Sequence, residues 1–328
     1  MGILILNHTE VETLLPMNEC IDVMEEAFIA LARDEFAQPL RTIVRPHNVK
    51  GVMALMPSYR GGEQPMFGLK AICVFPGNAA MGIDAHQGGV ILFDGTTGEV
   101  RLIANASAIT AIRTAAVSGL ATRALANAGA SELALIGAGV QARYHLPAIA
   151  CVRNLKRVRV AAKNFASAQK FSEEFARNFP FPIEAVPSAE AAVRDADIIV
   201  TATNAREPVI KREWISAGAH VNAIGTFSPK AREIDSATMA AAVLFTDRRE
   251  SLFTEAGDYL LAAADGLITE DSLAAELGEV LTGKHPGRTS RDEITLFKSL
   301  GLAIEDLAAA AHLYRKASQS SGARWIDF

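Results

Sequence analysis

The chain has 328 residues, 50% of them hydrophobic and 21% charged, with 32 Lys+Arg against 37 Asp+Glu and a formal net charge of −5. That much apolar material fills two cores at roughly 150 residues per domain, which excludes a disordered polymer or a small disulfide scaffold. The acidic balance excludes a global basic field for nucleic acid, and Gly, Arg or Asp break every apolar run short of the roughly 18 residues a membrane span needs.

No nucleic-acid or membrane partner is therefore expected. The N-terminal Met1-Gly2-Ile3-Leu4-Ile5-Leu6-Asn7 lacks the basic stretch that opens a signal peptide. Cys20, Cys73 and Cys151 are odd in number and widely spaced, matching neither a disulfide framework nor a zinc site. A cytoplasmic protein without a bound metal is the expectation.

In chain order, Thr9 and Glu12 predict a capping box at the start of a short helix. Ile21, Met24, Phe28 and Leu31 then form one apolar helical face. Residues 42–44, 51–56, 68–74 and 89–94 read as strands punctuated by Pro57, Gly61-Gly62, Pro76-Gly77-Asn78 and Gly95. A turn over 94–98 leads into 99–104 as a hairpin-like pair. The first 105 residues thus predict an α+β unit with a mainly antiparallel sheet, and the Ala-rich stretch 107–128 predicts a helix. From residue 130 the texture changes. Short apolar strands at 132–136, 158–161, 183–186, 198–202, 220–224 and 243–246 alternate with helical segments, the pattern of a parallel sheet covered on both faces. From about 291 the spacing of Leu296, Leu300, Ile304 and Leu307 predicts a further helix that returns to the first domain.

Gly137-Ala138-Gly139-Val140-Gln141-Ala142 has the G-x-G-x-x-A form of the dinucleotide fingerprint, following a strand and opening a helix over about 139–151. Gly137 permits the tight turn, Gly139 lets the backbone approach a pyrophosphate, and the helix N-terminus favours its charge. The second strand ends Ala161-Ala162-Lys163-Asn164 with no acid for a ribose hydroxyl. Lys163, and Arg143 in the helix, can face a 2′-phosphate or coat the surface, so NADH and NADPH both stay open. Thr201, Thr203 and Asn204 follow the fourth strand, where residues border the cofactor crevice or cap the next turn.

Lys70 lies in an apolar strand, where it faces solvent or, if buried, becomes a proton donor or acceptor near neutrality. Arg113, the one charge in 109–116, suits a carboxylate or a structural ion pair. Arg41 and Arg45 straddle a short strand. His86 is a further candidate for the pocket, and His145 is expected to be structural or to flank the cofactor. No His/Cys/Asp cluster has metal-ligand spacing.

Together these residues resemble the ornithine cyclodeaminase/μ-crystallin family. The match includes Gln38-Pro39-Leu40-Arg41-Thr42, Met56-Pro57, Lys70-Ala71, Phe75-Pro76-Gly77-Asn78, Thr97-Gly98-Glu99, Ile109-Thr110 through Ala116, and the glycine turn. Downstream it takes in Ile224-Gly225, Arg232-Glu233-Ile234-Asp235 and Ser299-Leu300-Gly301-Leu302-Ala303-Ile304-Glu305-Asp306. The resemblance implies a homodimer of α/β class. Residues 1–118, completed by 304–328, would form a substrate and dimerisation domain, and 119–303 a Rossmann domain. It implies that Arg41 and Arg113 clamp a substrate α-carboxylate and that Lys70 serves in acid–base chemistry; Arg45, His86 and Leu300 are further candidates for the substrate site. The cofactor set is Gly137, Ala138, Gly139, Val140, Gln141, Arg143, Lys163, Thr203, Asn204, Gly225 and Phe227. Cyclodeaminases carry an acid soon after the glycine that ends the fifth strand; here Phe227 stands there. A benzyl group cannot pair with an ammonium, so reduction of a small anionic 2-imino acid by NAD(P)H is expected ahead of ornithine cyclodeamination or non-catalytic ligand binding. The candidates are iminosuccinate, iminopropionate and a cyclic ketimine. Arg45, His47, Lys50 and Arg60 would serve a second carboxylate if they point inward, and otherwise coat a surface loop.

Overall fold

The computed structural model describes residues 2–320 and 324–327. The chain forms two compact units, Met1–Thr114 with Gly301–Phe328, and Ala115–Leu300. The segment 304–328, expected to complete the first domain, is described over 304–320 and 324–327; its remainder, like Met1, lies outside the described residues.

The first unit opens with strand β1 (Gly2–Leu6) and helix α1 (His8–Leu14). Asn7, rather than Thr9, caps α1. Its side chain accepts from the Glu10 N–H at 3.0 Å, and its own N–H donates to the Glu10 carboxylate at 2.7 Å. The helix begins two residues earlier than Thr9 and Glu12 predict, because Asn caps at least as well as Thr and a Glu stands at the required spacing. Helix α2 (Met17–Leu31) buries Ile21, Met24, Phe28 and Leu31, as their spacing predicts. Strands β2 (Phe36–Ala37), β3 (Thr42–Val44), β4 (Val52–Arg60), β5 (Met66–Val74), β6 (His86–Asp94) and β7 (Val100–Asn105) follow. Pro57 lies inside β4 instead of ending it. β4 pairs along its length with β5, but on its other edge β3 reaches Leu55 and β2 begins at Tyr59. Pro57 sits at the gap between these partners, where a missing N–H costs the ladder nothing.

Helix α3 (Ala106–Leu125) carries the boundary between the units. The second unit then runs β8 (Glu132–Ile136), α4 (Val140–Val152), β9 (Arg157–Ala161), α5 (Phe165–Phe175), β10 (Ile183–Ala185), α6 (Ala189–Val193), β11 (Ile198–Thr201) and β12 (His220–Ala223). It continues through α7 (Ser236–Ala241), β13 (Val243–Thr246), α8 (Arg249–Glu255), α9 (Gly257–Ala264), β14 (Leu273–Glu276), α10 (Leu277–Leu281) and β15 (Thr295–Lys298). Its sheet is parallel, in the order β10-β9-β8-β11-β12-β15-β13-β14. Leu133, Leu135, Val158, Val160, Ile198 and Val200 enter one core, and Ala134, Ile136, Ala161, Ile199, Val221 and Ala223 the other. The period-two alternation supplies apolar groups to both faces, so helices must cover both, as in a Rossmann fold. β8 and β11 are neighbours although β9 and β10 come between them in sequence, which makes their carboxyl ends the switch point of the sheet.

One expected helix starts elsewhere. Residues 295–298 form β15, slotted between β12 and β13, and the helix begins only at Ala303. Leu296 and Leu300 are both buried in the second unit, which imitates a helical stripe, but Gly301 has a φ of +76° that no continuing helix allows. The first unit closes with α11 (Ala303–Ser318) and β16 (Trp325–Asp327). Among the described residues its sheet runs β16-β1-β7-β6-β5-β4-β2, with β3 also on β4. α11 lies against α2 and the β4–β6 face of the sheet. A Cβ on Gly68 would come within 2.9 Å of Leu307, so glycine permits this close approach. The opposite sheet face leaves Met53 and Phe67 exposed. No helix among the described residues is long and apolar enough to cross a membrane.

Candidate active site

In β5, Gly68, Lys70 and Ile72 point to the covered face while Phe67 points away. Lys70 is 3% exposed, so it is not on a solvated face. Its cross-strand neighbours, Met56 and Val90, are both buried and apolar. Lys70 Nζ lies 2.8 Å from Asp306 Oδ2 and 3.5 Å from the Thr110 hydroxyl. Burial pushes its pKa down, Asp306 opposes this, and the charges of Arg113 and Arg41 add to the fall, leaving it at about 8.

Arg113 reaches the same place from α3. Its Nε donates to Asp306 Oδ1 at 3.1 Å and its Nη1 to Glu305 Oε2. Burial alone would lower its pKa, but the two carboxylates hold it above its ordinary value. The acids are placed by the first turn of α11, where the helix dipole favours negative charge. Glu305 also accepts from the Leu302 N–H at 2.9 Å. Arg41 joins from the segment before β3, donating through Nη2 to the Gly301 carbonyl at 3.0 Å. A Cβ on Gly301 would stand 2.6 Å from Arg113 Nη1, so that guanidinium excludes any side chain there. Lys70 and Arg113 thus pair with the two carboxylates, and Arg41 stands beside them on the Gly301 carbonyl.

His86, at the start of β6, is half-buried with Nδ1 3.8 Å from Asp84 Oδ1. Burial lowers its pKa against the pull of Asp84, and the charges of Lys70 and Arg113 lower it further, so it is neutral at pH 7. Arg45, His47 and Lys50 are exposed after β3 and join none of the ion pairs above, while Arg60 lies 5.5 Å over the Phe36 ring. Leu300 is buried in the second unit, its N–H donating to Asp247. Asp306 and Glu305 are the residues that sequence reasoning missed. Their signal was two adjacent acids in the otherwise apolar run 303–311, which must find cations if buried.

In the second unit, Gly137 has a φ of +116°, and a Cβ on it would lie 2.4 Å from the Ala202 carbonyl oxygen. Glycine is therefore required twice, by the turn and by the loop after β11. Gly139 is the N-cap of α4 with no side-chain cap, and a Cβ on it would meet nothing within 4 Å. Gly139 and Val140 are exposed, so the helix N-terminus opens onto free space, which fits a pyrophosphate. Ala138 and Gln141 are half-buried beside it, and Asn204 and Phe227 are exposed. Thr203 and Gly225 are both tied to the carboxylate of Glu233. Lys163 is exposed just past β9, but Arg143 is paired with Glu174 and lies over the Phe171 and Phe175 rings. His145 is structural: its ring nitrogens meet the Gln141 carbonyl and the Ser118 hydroxyl, and burial pushes its pKa down to about 4. Among the described residues no group of His, Cys, Asp or Glu is placed to hold a metal ion.

The chain is 36% identical over 331 residues to the Delta(1)-pyrroline-2-carboxylate reductase of Bacillus thuringiensis subsp. konkukian, covering 99% of this chain and 100% of that one. It is 38% identical over 285 residues to the ketimine reductase mu-crystallin of Mus musculus, covering 87% and 86%. The solved structure of Thermococcus litoralis Delta(1)-pyrroline-2-carboxylate reductase, in complex with NADH and L-proline, superposes with a TM-score of 0.95 at 38% identity, over 99% of this chain and 100% of that one. The model of the ornithine cyclodeaminase/mu-crystallin family matches residues 2–321, and the chain belongs to that family.

Proposed function

We propose that this chain is an NAD(P)H-dependent reductase of small 2-imino acids, with a cyclic ketimine carrying one carboxylate as its preferred substrate. The observation that carries this reading is the set of donors formed by buried Lys70 and Arg113 with half-buried Arg41 beside them, a compact cationic site of a size to take one carboxylate. Iminosuccinate, with two carboxylates, would need a second cation, and Arg45, His47 and Lys50 are exposed. The relatives named for reduction of pyrroline-2-carboxylate and ketimines support the same choice. Phe227, where an acid would serve cyclodeamination, argues against loss of ammonia.

Arg41 and Arg113 hold the substrate carboxylate and so fix the imine in the pocket. Lys70 Nζ gives a proton to the imine nitrogen when the substrate arrives unprotonated, and takes one back in the reverse direction. When bound, the nicotinamide supplies or accepts the hydride. Gly137, Gly139 and the N-terminus of α4 hold its pyrophosphate. The test follows nucleotide absorbance with a five- or six-membered cyclic ketimine, and with ammonia plus pyruvate or oxaloacetate, using NADH and NADPH in turn. The cyclic ketimine should give the highest kcat/KM; no turnover with any imine overturns the reading. L-Ornithine with NAD should yield no proline.

The reading includes a homodimer formed through the open sheet face of the first unit. Met53 and Phe67 point outward from β4 and β5, 40% and 48% exposed, with Val44 of β3, the cross-strand partner of Met53, also bare. Apolar side chains left bare along one sheet face suit an interface between copies of the chain. The wild type should sediment as a dimer, and Met53→Lys with Phe67→Glu as a monomer. A monomeric wild type rejects this interface.

A further inference from the structure

We infer that Glu233 is a positioning residue for the nucleotide site, setting the two loops that follow β11 and β12. The inference rests on the nucleotide-binding reading above and concerns a residue that would not itself touch the nucleotide. Glu233 is fully buried. Its Oε1 accepts from the Thr203 N–H at 2.6 Å and the Thr203 hydroxyl at 2.7 Å. Its Oε2 accepts from the Gly225 N–H at 2.7 Å and the Thr201 hydroxyl at 2.9 Å. Each oxygen faces a backbone N–H, which can only donate, so both oxygens act as acceptors.

This carboxylate joins the carboxyl ends of β11 and β12, next to the switch point of the sheet. Holding Thr203 also places Ala202, whose carbonyl oxygen presses on the Gly137 turn at a distance that leaves no room for a Cβ. The Glu233 bonds are therefore transmitted to the nucleotide turn through one residue. Gly225 is equally constrained, since a Cβ there would lie 2.2 Å from the Thr203 carbonyl oxygen.

Glu233 is itself held from behind. Asp258, in the first turn of α9, accepts from the Glu233 and Ile234 N–H groups at 2.7 and 2.9 Å. Lys298, from β15, lies 2.9 Å from Asp258 and donates to the Thr226 and Ala223 carbonyls at 2.8 and 3.3 Å. All three side chains are buried. A charged network at this cost in desolvation, placed at the carboxyl ends of β11, β12 and β15, is explained by the loop geometry it enforces.

The test compares direct binding of NADH and NADPH, by fluorescence titration, to wild type, Glu233→Gln and Thr201→Val. Glutamine keeps the shape but turns one oxygen into an NH2 group that must face a backbone N–H. Glu233→Gln should weaken nucleotide binding about tenfold or more. At saturating nucleotide the KM for the imino acid should stay unchanged. Thr201→Val removes one donor at a buried strand end and should weaken binding by a smaller factor, and it gives a reading if Glu233→Gln does not fold. Nucleotide affinity equal to wild type in the folded variants overturns this inference and leaves the nucleotide site standing. A wild type that binds neither nucleotide overturns both.

Discussion

Lys70→Met is expected to lower kcat by a factor of about 10² to 10⁴, the usual contribution of a positioned proton donor, while nucleotide binding persists. Methionine keeps the length of the stem between Met56 and Val90, so the strand should stay packed. Asp306 loses one partner in the variant but keeps Arg113 Nε at 3.1 Å, which limits the structural cost. The pH dependence identifies the group. Lys70 is held at about 8 by burial, by the opposing pull of Asp306 and by the charges of Arg113 and Arg41; Thr110 and the neutral His86 complete its surroundings. Reduction needs the ammonium, so kcat/KM in that direction should fall as the pH rises through about 8. Oxidation of the amino acid needs the free amine and should rise through the same range. Asp306→Asn removes an influence that raises the pKa, so the limb should move to lower pH. A Lys70→Met enzyme with wild-type kcat, or a limb unmoved by Asp306→Asn, removes Lys70 from the chemistry.

The fold is legible in this sequence wherever periodicity is long and unbroken. α2 and the β8–α4 turn announce themselves because their apolar spacing and their glycines each have one structural solution. β15 is not legible: four residues carry no period, and Leu296 and Leu300 happen to fall at helical spacing. Pro57 misleads because a proline ends a strand only where the ladder needs its N–H, which depends on partners far along the chain. The candidate site divides in the same way. Lys70 and Arg113 stand out locally as isolated charges on apolar elements. Their partners on α11 lie about 190 to 240 positions away, and nothing local couples them. Glu233 is hidden for a related reason: its motif is polar and short, and its importance comes from the two loops that close over it.

Arg113→Ala should be the most damaging single change in the cluster, with separable effects on substrate and on stability. Loss of the guanidinium removes one arm of the carboxylate clamp, so the KM for the imino acid should rise steeply while nucleotide affinity holds. It also takes the guanidinium from Glu305 and Asp306, which are 0% and 1% exposed, although Asp306 keeps Lys70 Nζ at 2.8 Å and Glu305 the Leu302 N–H. Breaking a buried pair by removing one partner costs about 3–5 kcal/mol, because a charge is left without compensation. The sign of the pH dependence distinguishes this from a packing defect. Without Arg113 the buried Glu305 loses its cation, so burial raises its folded pKa above its unfolded one. Stability is then retained below the unfolded carboxylate range and lost as the pH rises through the raised value, so the deficit against wild type should grow from acid toward neutral pH. A cavity left by a lost side chain would cost the same at every pH. Arg113→Lys restores the charge but not the fork that spans Glu305 and Asp306, so it should recover part of the stability and little of the KM. An Arg113→Ala protein with unchanged KM would show that Arg113 only braces α11, and the carboxylate would then have to be held by Arg41 and Lys70.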